Sequence, residues 1–488
     1  MSDLEIKLKN ELQQKEYIIL KQQHRIDQLL RQLYGVKSEK LPAQPTLFEP
    51  LPFTEEELAL SRVEPAKMEI PAHERKVPKK NPQSMRYELP EHLRREEIVI
   101  EPADLPEDAI KIGEEVSEKL EITKAELYVK RYVRPKYALK DKSSVIIGEL
   151  PDFPLSRTIA GLSLLISILI DKYVDHIPLN RQIKRWARQG VIIKDSTIGD
   201  WVSQITKLLS ILHEQLEQEV LSSGYLGADE TTVNVLDPKL SGKSHLGYYW
   251  VYMAHDKKLV LFDYQPSRGK NAVAKTLKDF SGYLQTDAYA AYGQFSTHPG
   301  ISRLACMAHA RRKFEEALPY DRNGALHVLT IMQRIYRLEH WLRVLKIAPE
   351  GKKNLRQKIA VPLLNEMFAW MKNEVIHHTP TNVLGKAMQY TLKIEKELMV
   401  YTQDGNLHID NNLVENSIRP VALGRKNYLF MGSHEGAKRS AMLYSFMLSC
   451  KMNGINEIDW LEDVLTKINS TKKSELVNLL PHRWSKKA

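Results

Sequence analysis

Cysteine is nearly absent. Cys306 and Cys450 are the two in 488 residues, which excludes a disulfide framework and a four-thiolate zinc site and fits a reducing, intracellular setting. Long apolar runs are missing too. The longest, IAGLSLLISILI at 159–170, stops at Asp171, well short of the roughly 20 residues a membrane span needs, and predicts a buried helix. The opening MSDLEIKLKN lacks the apolar centre of a signal peptide, so neither export nor a membrane partner is expected. Acidic surplus is lacking as well: 61 Asp and Glu face 71 Lys and Arg, for a net charge of +10, a balance that favours polyanionic partners. The hydrophobic share of 43% argues against a disordered chain, and the length suggests several domains.

What is present divides the chain into segments. Residues 1–40 carry Leu12, Ile19, Ile26 and Leu33 at seven-residue spacing, with Leu8 and Leu29 on the neighbouring seam, which predicts a coiled coil that joins protomers into at least a dimer, or else a helix packed on its own domain. Lys15 and Gln22 fall on that second seam, where polar residues weaken pairing but set register. Residues 41–90 are rich in proline and charge and read as a tether. Residues 91–150 alternate apolar and polar positions, as in AELYVKRYVRPKYAL, and predict a small β-rich module. There Tyr128, Lys130, Arg131, Tyr132, Arg134, Lys136 and Tyr137 interleave rings with cations, a pattern that suits phosphate contact and stacking.

Residues 151–221 are helical in pattern. Within them LNRQIKRWARQGVIIKDSTIGDWVSQITKLL has the form of a helix-turn-helix, with Arg181, Lys184, Arg185 and Arg188 on the first helix and Ser196 and Thr197 expected to cap the second. The period then changes to that of strands. YLGADETTVNVL, HLGYYWVYMA, KLVLFDYQ and GYLQTDAYAAY are followed by SRLACMAHARRKFEEA, a strand leading into a helix with Arg311 and Arg312. Three strands in hairpin succession and then strands alternating with helices predict a mixed sheet of ribonuclease-H type over 222–318 and 402–435, interrupted by a helical insertion at 319–401. Residues 436–488 form a carboxyl-terminal helical domain. The fold class expected is thus multidomain α+β.

Three acids stand at the ends of expected elements: Asp229 in the first strand, Asp287 at the end of the fourth, and Glu415 at the head of a helix that also carries Arg419, Arg425 and Lys426. In such a sheet the first and fourth strands are neighbours, so Asp229 and Asp287 could converge although distant in sequence. Phosphodiester chemistry wants this set: two divalent ions about 3.5–4 Å apart activate water and stabilise the leaving oxygen, and magnesium needs few protein carboxylates because phosphate and water supply the rest. Glu230, next to Asp229, points to the opposite strand face. His309 reads as structural or phosphate-facing, since no second His or Cys is seen at ligand spacing.

YGVKSEKL (34–41), VRPKYAL (133–139), DKYVDHIPLNRQ (171–182), ADET (228–231), LQTDAYAAY (284–292), AHARRKF (308–314) and DNNLVENSIRPVALGRKNYLFMGS (410–433) together resemble the transposases of the insertion sequence 66 family. The likeness spans nearly the whole chain, including the closing LYSFMLSCKMNGINEIDWLEDVL. It implies a DDE transposase in which Asp229, Asp287 and Glu415 hold two Mg2+ ions, with Mn2+ able to substitute, and in which Asn412 and Arg419 flank the glutamate. It further implies binding of terminal inverted repeats, cleavage by metal-activated water, and joining of the freed 3′-hydroxyl to target DNA. Small accessory proteins of the same element are possible partners, and a bacterial cytoplasmic, nucleoid-associated location is expected. The rivals are a catalytically silent DNA-binding regulator and a nuclease without strand transfer. Many members carry a cysteine-rich zinc segment before the VRPKYA motif; here residues 103–132 contain no cysteine, so no zinc ligands are expected in that module.

Overall fold

The computed structural model describes residues 127–133, 136–138, 145–147, 152–155, 158–237, 243–379 and 381–486. The expected coiled coil, the tether and most of the β-rich module lie outside them. The described part of that module is an exposed stretch with Tyr128 and Tyr132 and a short antiparallel pair, β1 (Lys136–Ala138) with β2 (Val145–Ile147).

Most of the apolar run at 159–170 forms a buried helix, α1 (Leu162–Tyr173), which buries Leu165, Ile166, Ile168 and Leu169, while Ile159 lies before it and is exposed. After it come α2 (Leu179–Ala187) and the long α3 (Asp195–Leu221). Ile198, Trp201, Ile205, Leu209, Leu212, Leu216 and Val220 line one side of α3, an apolar stripe at three- and four-residue steps. That stripe lies in the same core as Leu226, Val251 and Phe262 of the sheet. The helical block therefore shares one core with the sheet. Two details depart from the helix-turn-helix expected there. Ser196 and Thr197 do not cap α3, because the helix begins one residue earlier at Asp195, with Lys194 at the cap, and an acid in the first turn suits the helix dipole. The connection Arg188–Lys194, turned by Gly190 at φ +80°, is also longer than the roughly 3–4-residue turn of that motif.

The sheet comes next: β3 (Tyr225–Leu236), β4 (Ser244–Ala254), β5 (Leu259–Gln265), β6 (Gly282–Thr286) and β7 (Ile301–Ala305). Their order is β5-β4-β3-β6-β7. β3, β4 and β5 pair antiparallel, while β6 joins β3, and β7 joins β6, in parallel. This mixed order agrees with a ribonuclease-H-like sheet. Helix α4 (Lys270–Thr276) links β5 to β6, and α5 (Met307–Ala317) continues from β7.

The helical insertion is built from α6 (Arg322–Val344), α7 (Pro349–Leu355), α8 (Val361–Glu374), α9 (Val383–Lys393) and α10 (Glu395–Met399). These pack around a second core that takes in Leu304 and Met307 from the sheet side. Arg356, 2% exposed, ties the insertion to the chain beyond it. Its guanidinium holds the Glu339 carboxylate and donates to the carbonyls of Tyr401, Asp404 and Leu407 at 3.0, 2.8 and 2.9 Å. A buried cation needs such multiple acceptors, and here they shape the segment that leads into α11 (Asn412–Tyr428).

Two further α-helices follow, α12 (His434–Met452) and α13 (Glu457–Lys467), and then a 3-10 turn at Lys473–Leu479. β5 is an edge strand whose outward N–H groups would be orphaned under a packed helix. α12 supplies the acceptors: Ser445 Oγ takes Phe262 N–H at 2.8 Å and Ser449 Oγ takes Val260 N–H at 2.9 Å. The two serines are one helical turn apart, matching alternate residues of the strand. Among the described residues no helix is long and apolar enough to cross a membrane.

Candidate active site

The parallel register of β3 and β6 sets the first two acids side by side. Gly227 pairs with Gln285 in the last rung, and Asp229 and Asp287 each stand two residues beyond it. Residues two apart on a strand share a face, so Asp229 lies on the face of Gly227. Past that rung the strands part, and the crevice at the carboxyl ends of neighbouring parallel strands is where open α/β sheets take ligands.

Helix α11 brings the third acid to that face, and Gly227 is the reason it can. A Cβ there would lie 2.5 Å from Val414 Cγ2, 2.7 Å from His255 Nε2 and 2.9 Å from Asn411 Oδ1. Only a residue without a side chain admits the helix so close. Asn411, fully buried, then fastens the helix start: its Nδ2 donates to Ala228 O at 3.0 Å and its backbone N–H to Cys306 Sγ at 3.2 Å. The Ile409 carbonyl accepts Met307 N–H at 3.1 Å. Glu415 emerges one turn later.

The electrostatics record the convergence. Burial pushes the Asp229 carboxyl up to about 8, and the charges of Glu230, Asp287 and Glu415 push in the same direction against the N–H of Glu230, which donates to Asp229 at 2.8 Å. Acids from β3, the loop after β6 and α11 thus feel one another. Opposing this negative cluster, His309 Nε2 and Arg312 of α5 each stand 3.8 Å from the Glu415 carboxylate. The three carboxylates are half-buried and offer oxygen alone, the ligand type of hard divalent cations, but among the described residues the ligand atoms gathered within 4.8 Å of one another are those of Cys306, His309 and Glu415.

Neighbours that the sequence reading overlooked hold the acids in position. Asp287 accepts Tyr289 N–H at 2.9 Å. Behind it the buried Arg303 donates to Thr286 Oγ1 at 3.2 Å and to the Asp287 carbonyl at 3.2 Å. Glu230 is gripped separately: Arg268 donates to Oε1, with Nε at 2.8 Å, and Tyr292 donates to Oε2 at 3.1 Å, while the guanidinium lies 3.8 Å over the Tyr289 ring. Its own burial raises the Glu230 carboxyl and the Arg268 pair lowers it. Glu230 belongs to a clamp beside the site.

The reading of His309 needs correction. Cys306 lies three residues before it, and the fold adds Glu415, so that ligand atoms of Cys306, His309 and Glu415 fall within 4.8 Å of one another. The spacing was visible; the third member came from a distant helix.

The basic residues separate into exposed and engaged. Lys184, Arg188, Arg419 and Lys426 are exposed. Arg181 donates to Asn427 Oδ1 at 3.3 Å, which sets α2 against the far end of α11. Arg185 pairs with Asp171, Arg311 with Glu315 at 2.6 Å, and Arg425 donates to the Thr232 carbonyl and, at 2.8 Å, to its hydroxyl. Those three cations serve the fold. Asn412 sits in the first turn of α11 with its N–H 3.3 Å from Asp410 Oδ1, so it is Asn411 that anchors the helix. Ser196 is exposed and Thr197 half-buried at the start of α3.

Residues 157–439 match the family described as Transposase IS66 family, residues 445–482 the IS66 C-terminal element, and residues 21–98 the region described as Transposase C of IS166 homeodomain. Among curated proteins the chain is similar to three uncharacterized proteins of Sinorhizobium fredii (strain NBRC 101917 / NGR234). Protein y4jD is 32% identical over 81% of each chain. Protein y4qI is 31% identical over 80% of this chain and 76% of its own, and y4hP is 28% identical over 95% and 88%. No solved structure matches. A match that runs through β3, the loop after β6, the insertion and α11 takes in every element of the site, and the chain belongs to the IS66 family of transposases.

Proposed function

We propose that the chain is a DDE transposase whose catalytic acids are Asp229, Asp287 and Glu415. The observation that carries the reading is that β3, the loop after β6 and α11 bring Asp229, Asp287 and Glu415 close enough that burial, first, and the charges of Glu230, Asp287 and Glu415 push the Asp229 carboxyl to about 8. Acids brought together from distant segments in this way are the arrangement that divalent cations use. Divalent ions bound there would activate the attacking hydroxyl and stabilise the leaving 3′-oxygen of a phosphodiester. The protein's own part is to hold the three carboxylates at fixed positions: Asn411 and Gly227 locate Glu415, Arg303 locates the Asp287 backbone, and the β3 ladder locates Asp229. His309 and Arg312 face the Glu415 carboxylate and are near enough to orient it or to meet a phosphate. The exposed Lys184, Arg188, Arg419 and Lys426 would contact the DNA backbone, and the substrate would be the terminal inverted repeats of the element, later joined to target DNA.

The test is a strand-transfer assay with uncut and precut terminal DNA in Mg2+. Wild-type protein should cut the first and join the second. Glu415→Gln keeps size and hydrogen bonding but removes the charge a hard cation needs, and should lose both steps while still binding terminal DNA. Joining at near wild-type rate by Glu415→Gln would overturn the assignment; cutting without joining by the wild type would make the chain a nuclease, and neither step a regulator.

A further inference from the structure

We infer that Cys306, His309 and Glu415 form a second metal site, for a borderline-soft divalent cation of the zinc type, and that this site shares Glu415 with the triad. The sharing rests on the reading of Glu415 as a catalytic acid; the binding of the cation does not.

The ligand atoms come from two elements whose approach is already fixed. Cys306 is the N-cap of α5 and His309 lies in its first turn, so the side chains at i and i+3 rise on one side of the helix. α11 lays Glu415 across them, and the three ligand atoms lie within 4.8 Å of one another. The carboxylate is turned toward this pair, with Oε1 3.8 Å from His309 Nε2. Thiolate, imidazole and carboxylate are a set that zinc accepts in sites with three protein ligands and one open position, whereas magnesium prefers oxygen alone. Exposure fits an open position as well. Cys306 is 1% exposed, while the His309 and Glu415 side chains are 22% and 24% exposed, so the cluster is closed at the sulfur and opens on the crevice.

A second feature supports the sulfur as a ligand. Asn411 N–H donates to Cys306 Sγ at 3.2 Å, and a backbone N–H directed at sulfur is the kind of outer contact that supports a metal thiolate. Burial otherwise holds the thiol proton on, up to about 12, against the N–H groups of Asn411 and His309. Binding would therefore release the Cys306 proton to solvent as the metal–sulfur bond forms, with no change of oxidation state. The consequence for the reaction is competition. A Glu415 carboxylate ligated beside Cys306 and His309 is withdrawn from Asp229 and Asp287, so zinc should inhibit a magnesium-dependent cut.

The test uses the full-length chain, stripped of metal and titrated with Co2+ in excess Mg2+, because cobalt replaces zinc in such sites and its thiolate bond gives a charge-transfer band that needs no activity. The wild type and Cys450→Ala should both develop the band at one equivalent, and Zn2+ should bleach it. Cys306→Ser should lose it, and His309→Gln and Glu415→Gln should bind Co2+ at least about 10- to 100-fold more weakly, the loss that even an outer-shell change produces. No band in the wild type, or an undiminished one in Cys306→Ser, would overturn the site. Should Cys306→Ser fail to fold, the band in Cys450→Ala decides alone, since no other thiol remains. In the activity arm, Zn2+ should slow cleavage by the wild type but not change the rate of Cys306→Ser relative to its own zinc-free rate. Zinc-loaded protein that cuts at full rate would sink the sharing of Glu415. If Glu415→Gln cuts normally while the wild type still shows the band, the triad reading fails and the metal site stands.

Discussion

Asp229 is the residue on which charge and burial meet. Its folded carboxyl is raised to about 8 while an unfolded one titrates near 3.9, so between these values the folded chain holds a proton that the unfolded chain has released. Stability contributed by this group is therefore lost as pH rises from about 4 to about 8, the direction that linkage requires when the native state binds more protons. Asp229→Asn removes the penalty. In the metal-free protein its melting temperature should exceed that of the wild type, by a margin that grows across that pH range and levels off above it, although cleavage is abolished. A wild type that loses no more stability than the variant over the same range would refute this. Magnesium held at Asp229 as proposed would act in the opposite sense by displacing the proton, so its affinity should rise with pH up to about 8. Glu230 offers a contrast on the neighbouring position. Because Arg268 and Tyr292 already satisfy it, Glu230→Gln should slow cleavage through a loosened clamp yet stay well above Asp229→Asn, and equal inactivity of the two would mean that the acids have been misassigned.

Two helix docking contacts carry most of the element-scale design. α11 reaches β3 only because Gly227 has no side chain, and Gly227→Ala would set a methyl 2.5 Å from Val414 and 2.9 Å from Asn411. Overpacking of this kind costs about 1–3 kcal/mol, but the helix it displaces carries Glu415, so the cleavage rate should fall more than stability does. α12 offers the opposite case. Ser445→Ala and Ser449→Ala would each strip a buried N–H of β5 of its acceptor, a loss of about 1–3 kcal/mol apiece. Denaturant midpoints should drop while cleavage per folded molecule holds. Ser→Ala changes without effect on the midpoint would mean that water reaches the edge of β5.

At the scale of the whole molecule, a net charge of +10 becomes useful only where cations are left over from the fold. Arg185, Arg311 and Arg425 are engaged by Asp171, Glu315 and Thr232, so their removal would disturb contacts within the chain as well as any DNA contact. Lys184 and Arg188 are exposed on α2 and its C-cap, and α2 meets α11 through Arg181 and Asn427. The double variant Lys184→Ala, Arg188→Ala should bind terminal and unrelated DNA more weakly by a similar factor. Its plot of log affinity against log salt should flatten by about 0.9 for each phosphate that is no longer neutralised. A slope equal to that of the wild type would move the DNA to another surface.

The sequence by itself determined the order of elements, because alternation and helical spacing are local: the buried helix from Leu162, the five strands, the insertion and the helix bearing Glu415 all arise from side-chain period, although the fourth strand stops at Thr286 and the apolar residues beyond it form a 3-10 turn at Ala290–Phe295. It also singled out the three acids, each at the end of such an element, and the family likeness rested on the motifs around them. What needed the tertiary structure was everything set by contact between distant segments. The register of β3 with β6, which levels Asp229 with Asp287, depends on a pairing that neither strand encodes alone. The anchoring by Asn411 instead of Asn412 turned on which of two adjacent amides faced Ala228. Cys306 and His309 are three residues apart in plain view, yet they become a possible metal site only when α11 lays Glu415 across them. The same holds for the cations: Arg185 and Lys184 are neighbours of like chemistry, and only the buried Asp171 beneath one of them decides which is part of the fold and which is left to the solvent.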